Sequence, residues 1–338
     1  MNQSIFLPRL SISLLVIVLL LINNISFAMQ TADTHFYGRI HVRLATIKNQ
    51  DTSLNNAGHR LGIRGEGELN NGWGFFYKLE SELHNDDGLG KKDGADGHNL
   101  AEPSATSSTD LADIVIRHAH IGLANSYGQL TLGRQNNPLA SSYTADVFEA
   151  NSGSFEQTSF RFGHAAIFQT PNTGKARAYL GAILEGGGDE DENEQLDGYV
   201  IGGQFKVGEL ILHLGAFHAD FKSLDSDQSE FSDVSAALAY RSGNLYLAAN
   251  GEQSILQAAD GSKTTTDKLD LAMTYSLKTV TYGIGYAVQD SEDIQSDRIL
   301  FGAYLDLSSN NDFYIELGLL NKAAGDNDNL VAGYRITF

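Results

Sequence analysis

Hydrophobic and polar residues alternate one by one along most of the chain, beginning with the stretch FYGRIHVRLATI at Phe36. One face of this stretch is apolar and carries Ile40, Val42 and Leu44. The other face is basic and carries Arg39, His41 and Arg43. A period of two residues is typical of a β-strand whose two faces meet different surroundings.

The same alternation recurs to the end of the chain, whereas a helical period is nowhere sustained after the first thirty or so residues. We predict sixteen strands, near 35–47, 57–69, 73–83, 112–124, 127–136, 159–170, 174–185, 196–207, 209–219, 231–242, 244–255, 266–277, 279–290, 296–307, 311–321 and 328–338.

Short and long connections alternate between these strands. The short ones are turns such as Asn70-Asn71-Gly72 and Ser242-Gly243-Asn244. The long ones are 48–56, 84–111, 137–158, 186–195, 220–230, 256–265, 291–295 and 322–327. Short turns on one rim and long loops on the other are typical of transmembrane β-barrels, in which closure removes the edge strands that lipid would not tolerate.

A soluble β-sandwich is the alternative fold, with its apolar faces meeting in a core. In a large membrane barrel the order is inverted, so that Ile40, Val42 and Leu44 face lipid and Arg39 faces a water-filled lumen. The even rhythm of strands favours the barrel, and no break in composition divides the chain. We therefore predict a single all-β domain over residues 29–338, a sixteen-stranded antiparallel transmembrane β-barrel.

The first 28 residues have the features of a secretory signal peptide. Arg9 precedes the apolar run Leu10–Ile22, and Ser26-Phe27-Ala28 offers a cleavage site after Ala28. A retained membrane anchor is the alternative, but the run is shorter than the ~20 residues of a spanning helix. Export and the absence of cysteine exclude disulfides and every cysteine-based metal site or nucleophile.

The chain is acidic, with 42 Asp and Glu against 23 Lys and Arg and a net charge of −19. Removing the signal peptide takes away one base, Arg9, and makes this balance slightly more negative. Nucleic-acid partners are excluded because phosphates require a cationic surface.

Two segments and the C-terminus resemble the Gram-negative general porins: HRLGIRGEGELNNGWGFFYKLE (59–80), RHAHIGLANSYGQLTLGRQ (117–135) and the final strand NLVAGYRITF. The resemblance implies a sixteen-stranded barrel that forms a homotrimer in the outer membrane, among lipid and lipopolysaccharide. It also implies a third long loop that folds inward as a constriction, and an assembly machinery that reads the C-terminal aromatic residue, here Phe338.

The same resemblance assigns roles to individual residues. Arg39, Arg60, Arg117 and Arg161 match the family's basic cluster on the barrel wall. Asp146 and Glu149, in YTADVFEANSGSF, match the acidic residues of the constriction loop, although FEANSG replaces the family's PEFGG-type turn. Arg134 matches a residue that contacts a neighbouring subunit, whose second loop, 84–111 here, is the expected latch.

Other candidate sites have weaker patterns. His118 and His120 share a face, but a metal site needs several converging ligands, so we interpret them as pore-lining and predict no metal centre there. The acidic segments 186–192 and 325–329 contain oxygen ligands suited to Ca²⁺ or Mg²⁺, yet lack the spacing of the helix-flanked calcium loop. We interpret them as solvated loops, with bridging of lipopolysaccharide phosphates by divalent cations as the alternative. No cofactor is predicted.

The predicted function is passive passage of small hydrophilic solutes and ions, with a weak preference for cations. The sequence lacks Gly-x-Ser-x-Gly, GxxxxGK[ST] and HExxH motifs, so we predict no enzyme. A substrate-selective porin or an adhesin is the alternative. A sugar channel would line its path with aromatic residues, whereas Tyr275, Tyr282 and Tyr286 lie on the apolar faces.

Overall fold

The computed structural model describes residues 33–84, 113–150, 161–184, 197–220, 228–258, 260–291, 294–322 and 328–338. The predicted signal peptide lies outside the described residues. So do residues 85–111 of the second long loop, the acidic segment 186–192 and residues 325–327. Of these described residues, none forms a helix both long and apolar enough to cross a membrane.

The described residues form seventeen β-strands and two short 3₁₀ turns, Asn70–Gly72 and Pro138–Ser142. The strands are β1 (Asp33–Ile47), β2 (Ser53–Asn56), β3 (His59–Glu68), β4 (Gly74–His84), β5 (Asp113–Asn125), β6 (Gly128–Asn136), β7 (Arg161–Gln169), β8 (Ala176–Ile183), β9 (Gly198–Val207), β10 (Leu210–Asp220), β11 (Gln228–Ser242), β12 (Leu245–Ala258), β13 (Lys263–Leu277), β14 (Val280–Ser291), β15 (Ile294–Ser308), β16 (Asn311–Lys322) and β17 (Asn329–Thr337).

Every strand pairs antiparallel with its neighbours, and β1 pairs with β17 to close the sheet. β2 and β3 both pair with β1, one after the other, and are separated by Ala57 and Gly58. Gly58 has a φ of +87°, which interrupts the ladder at this point. Because β2 and β3 together form one strand of the wall, the barrel has sixteen strands, and the predicted fold is confirmed.

The C-terminal residue completes the closure. The Gly38 N–H donates to the Phe338 carbonyl (2.8 Å), and the Phe338 N–H donates to the Gly38 carbonyl (3.0 Å). The Phe338 ring occupies the space that a Cβ at residue 38 would need, so glycine is required there.

The two faces of β1 lie in the environments that the alternation predicts. Ile40 and Leu44 are each 48 % exposed on the outer surface, where lipid would cover them, whereas His41 is 3 % exposed inside. Apolar side chains thus form the outer band of the barrel, and charged side chains of β1 face the lumen.

The inner wall is not polar throughout, which the sequence pattern did not predict. An apolar cluster lines β7 to β11 on the inside, and it includes one residue of the long connection after β6, Leu139. Its members are Leu139, Phe162, Ala165, Ile167, Tyr179, Ile183, Val200, Phe217, Ala219 and Phe231. This cluster makes part of the inner wall from β7 to β11 apolar.

Candidate functional site: the constriction inside the barrel

The connection after β6, residues 137–150 (the pore loop), enters the barrel and follows its inner wall. It begins with a 3₁₀ turn in which the Leu139 N–H donates to the Asn137 side chain (2.9 Å). Leu139 is fully buried in the apolar cluster, which fixes the start of the loop against β9 and β10.

The middle of the pore loop lies on small residues of β11 to β14. The hydroxyls of Ser142 and Ser235 are 2.8 Å apart, and the Tyr246 hydroxyl donates to the Thr144 carbonyl (2.8 Å). Phe148 then packs over Gly285, where a Cβ would lie 2.6 Å from the Phe148 ring. Glycine at 285 therefore allows the loop to approach the wall closely.

A buried carboxylate holds the end of the described loop. Glu316 of β16 is fully buried, and its two oxygens accept the backbone N–H groups of Glu149 (2.6 Å) and Ala150 (3.0 Å). The Tyr304 hydroxyl donates to the same carboxylate (2.8 Å). These charge-assisted bonds fasten the loop next to β17 and β1, where the barrel closes.

Both acids predicted for the constriction lie on this inward loop. The Glu149 carboxylate is 2.6 Å from a guanidinium nitrogen of Arg335 on β17, and Arg335 also donates to Asp312 (2.8 Å). Asp146 is half-buried, and its backbone N–H donates to the Tyr143 carbonyl (3.2 Å). Arg335 was missed as a site residue, although its place on the polar face of the last strand was a usable signal.

Two of the predicted wall arginines are ion-paired with carboxylates that the sequence reasoning missed. Arg60 donates to Glu82 (2.8 Å), and Arg117 donates to Glu80 (3.0 Å) and also to Glu82. Lys78 lies 3.1 Å from Glu80. Because Lys78, Glu80 and Glu82 alternate on one face of β4, the sequence pattern could have placed these acids in the lumen.

A β-bulge in β5 brings Arg117 into this group. His118 pairs with Glu80 and Ile116 pairs with Ser81, so Arg117 is an extra residue between two pairs of the ladder. Ile116 is 41 % exposed on the outer surface, whereas Arg117 and His118 both face inward. Under strict alternation, either Arg117 or His118 would face lipid.

The remaining predicted arginines lie in different places. Arg39 donates to the backbone carbonyls of Gly58 (3.2 Å) and Ala57 (3.4 Å) on the inner wall. Arg161 is buried at the start of β7, opposite Asn136 of β6. The structure thus places Arg39, Arg60 and Arg117 on the inner wall, while the effect of all four arginines on permeation stays a prediction.

Arg134 lies on the outer side of β6, between the exposed residues Leu132 and Asn136. Its Nε–H donates to the Ile116 carbonyl of the same chain (2.6 Å). This position suits a residue that meets a neighbouring subunit, and that role stays a prediction.

His118 and His120 are adjacent on the lumen wall, with ring centroids 5.6 Å apart. Across the described ranges, no group of three or more His, Asp or Glu side chains is arranged to hold a metal ion.

A family model for Gram-negative porins matches residues 17–334 of the chain. No curated protein sequence matches the chain. Among solved structures, an anion-selective porin from Comamonas acidovorans is similar over 91 % of this chain and 100 % of its own, with a TM-score of 0.73 and 19 % identity.

Two further structures share the fold. The trimer form of OmpT from Vibrio cholerae has a TM-score of 0.68 and 14 % identity, over 91 % of this chain and 100 % of its own. OmpF from Salmonella typhi, in complex with daunomycin, has a TM-score of 0.67 and 15 % identity, over 90 % and 97 %.

Proposed function

Because this chain belongs to the Gram-negative porin family, we propose that it is a general diffusion channel for small hydrophilic solutes and ions. The family and the closed barrel indicate an outer-membrane protein. The observation that carries the proposal is the pore loop, which follows the inner wall and brings Glu149 against Arg335 on β17, where β1 alone separates it from the ion-paired wall of β3 to β5. Such a loop narrows a barrel of this size without filling it.

Charged side chains along this part of the inner wall, from β17 to β5, support a path for hydrated ions. Ionised groups that line an aqueous lumen avoid much of the cost of burial, and their arrangement decides which ions remain there. The aromatic residues of the apolar cluster support general passage as well, because Phe162, Phe217 and Phe231 are buried and offer no surface to a passing sugar.

A weak cation preference is part of the proposal. Glu80 and Glu82 offset much of the charge of Arg60, Arg117 and Lys78, so the basic wall attracts anions less than its arginines alone would. The net charge of −19 then favours cations near the mouth. Of the acids that we expect to concentrate cations there, Glu230 and Asp328 are described, whereas Asp189–Glu194, Asp225, Asp227, Glu292, Asp293 and Asp326 lie outside the described residues.

Reconstitution of the purified protein tests this function. In planar bilayers we expect discrete conductance steps, and in proteoliposomes we expect uptake rates that fall smoothly with solute size. Saturable uptake of one solute class would support a substrate-selective porin instead, and the absence of conductance by correctly folded protein would refute a channel.

A further inference from the structure

Two arginines on the inner face of β1 form no ion pair with any described residue. Arg39 donates only to backbone carbonyls, and no described carboxylate lies within salt-bridge distance of it. Arg43 makes no hydrogen bond or ion pair within the described ranges, although its Nε is buried. A buried donor without an acceptor costs free energy, and a ligand that supplies an acceptor would recover it.

Several cations around these two arginines are paired with acids. Arg60 is paired with Glu82, Arg117 with Glu80, and Arg335 with Asp312 and Glu149. The described arginines of this part of the wall that form no ion pair are therefore Arg39 and Arg43 on β1 and Arg64 on β3, which lies over the Tyr37 ring instead.

The residues that lie level with Arg43 on the neighbouring strands (the row of Arg43) include no acid. Across the barrel wall, Arg43 is opposite Asn55 of β2 and Gly333 of β17, and Gly333 is opposite Tyr314 of β16. The Tyr314 ring lies over Gly333, because glycine leaves this space open, and its hydroxyl is 2.8 Å from His41. Arg43 is thus the single charged group of its row.

We propose that Arg43 is the binding residue of an oxyanion subsite in the lumen, which takes the carboxylate or phosphate group of a small solute. A planar guanidinium presents paired donors that match both groups. Arg43 lies four positions after Arg39, about 13 Å along the strand at roughly 3.3 Å per residue. Arg43 is nearer the long-loop rim, so an oxyanion entering from that side meets Arg43 first and Arg39 next.

This subsite rests on the proposed function, because the solute must reach the lumen. It also agrees with a weak cation preference of the whole channel. Loop acids act on all ions near the mouth, whereas Arg43 binds one group at contact distance and slows its passage. A bound oxyanion should therefore reduce the current that KCl carries.

The test is block of KCl conductance in planar bilayers by inorganic phosphate and, separately, by acetate. In the unmodified channel we expect a saturable fall in conductance with at least one of these anions. Arg43→Gln should raise the half-blocking concentration about tenfold or more, because a hydrogen-bonded charge is lost. Arg43→Lys should give an intermediate value, because it keeps the charge but not the paired donors.

Arg64→Gln is the matched control. It removes the same charge from β3, where Arg64 lies over the Tyr37 ring at 5.4 Å, and should leave the block unchanged. Equal block in the Arg43→Gln and Arg64→Gln channels, or no block of the unmodified channel, would overturn the subsite. A folded protein that conducts no ions would instead refute the channel itself. If Arg43→Gln does not fold, the half-blocking concentration of the Arg43→Lys channel is compared with that of the Arg64→Gln channel. Equal values would then overturn the subsite.

Discussion

Glu316 determines where the pore loop ends its path along the wall. It is fully buried and accepts two backbone N–H groups of the loop and one tyrosine hydroxyl. Hydrogen bonds to a charged group contribute about 1.5–3 kcal/mol each. We expect Glu316→Gln to weaken the attachment, because an amide replaces one acceptor oxygen with a donor, and to give a noisier and larger single-channel conductance.

The control for this variant is Glu209→Gln, at an exposed position in a short turn. Heat-modifiable migration should be kept in both variants, since the ladders of the barrel do not depend on Glu316. Identical conductance and noise in the two variants would show that Glu316 does not hold the loop.

At the same scale, the sequence indicates which residues face the lumen but not which of them pair. Alternation places Arg60 inside, and it also places Glu80 and Glu82 inside. Their pairing depends on the register between β3 and β4, where Arg60 is opposite Glu82. Alternation excludes a shift of one residue, which would move every side chain to the other face, but a shift of two residues would keep the faces and change the partners, so the pattern alone does not fix the pairing.

Individual strands were well predicted because lipid and water impose a simple period on both faces. The prediction failed where an element departs from that period. The bulge at Arg117 changes the facing of residues in the middle of β5, and Gly58 divides one barrel strand into β2 and β3. The path of the pore loop depends on contacts with distant strands, such as Leu139 in the apolar cluster, which no local pattern contains.

The last strand supports a prediction about assembly. Phe338 exchanges two backbone hydrogen bonds with Gly38 and covers that glycine with its ring. Deleting Phe338 should lower the amount of folded protein in the outer membrane and leave export unchanged. Quantified membrane fractions with heat-modifiable migration measure this, and Phe338→Tyr, which keeps the ring, is the control. Normal folded levels after the deletion would contradict the prediction.

For the whole molecule, we predict a homotrimer. Arg134 is on the outer side of β6, where a neighbouring subunit could contact it. Light scattering in mild detergent, corrected for bound detergent, should give three chains for each particle. Arg134→Ala should lower the temperature at which the trimer dissociates. Asn136→Ala, at an exposed position of the same strand, is the matched control. A monomer of the unmodified protein would refute this assembly.

Ion selectivity also belongs to the whole molecule, because it combines the constriction with the acidic mouth. We expect a weak cation preference that fades at high ionic strength, since charges act over about 10 Å at 0.1 M salt. Replacing Asp146 and Glu149 with Asn and Gln should shift selectivity towards anions, because the second change leaves Arg335 with one acid fewer. Replacing Arg60 and Arg117 with Gln should deepen cation preference, because Glu80 and Glu82 lose their partners. Reversal potentials in a KCl gradient measure each shift, and a clear anion preference in the unmodified channel would mean that the arginines, and not the acidic mouth, control passage.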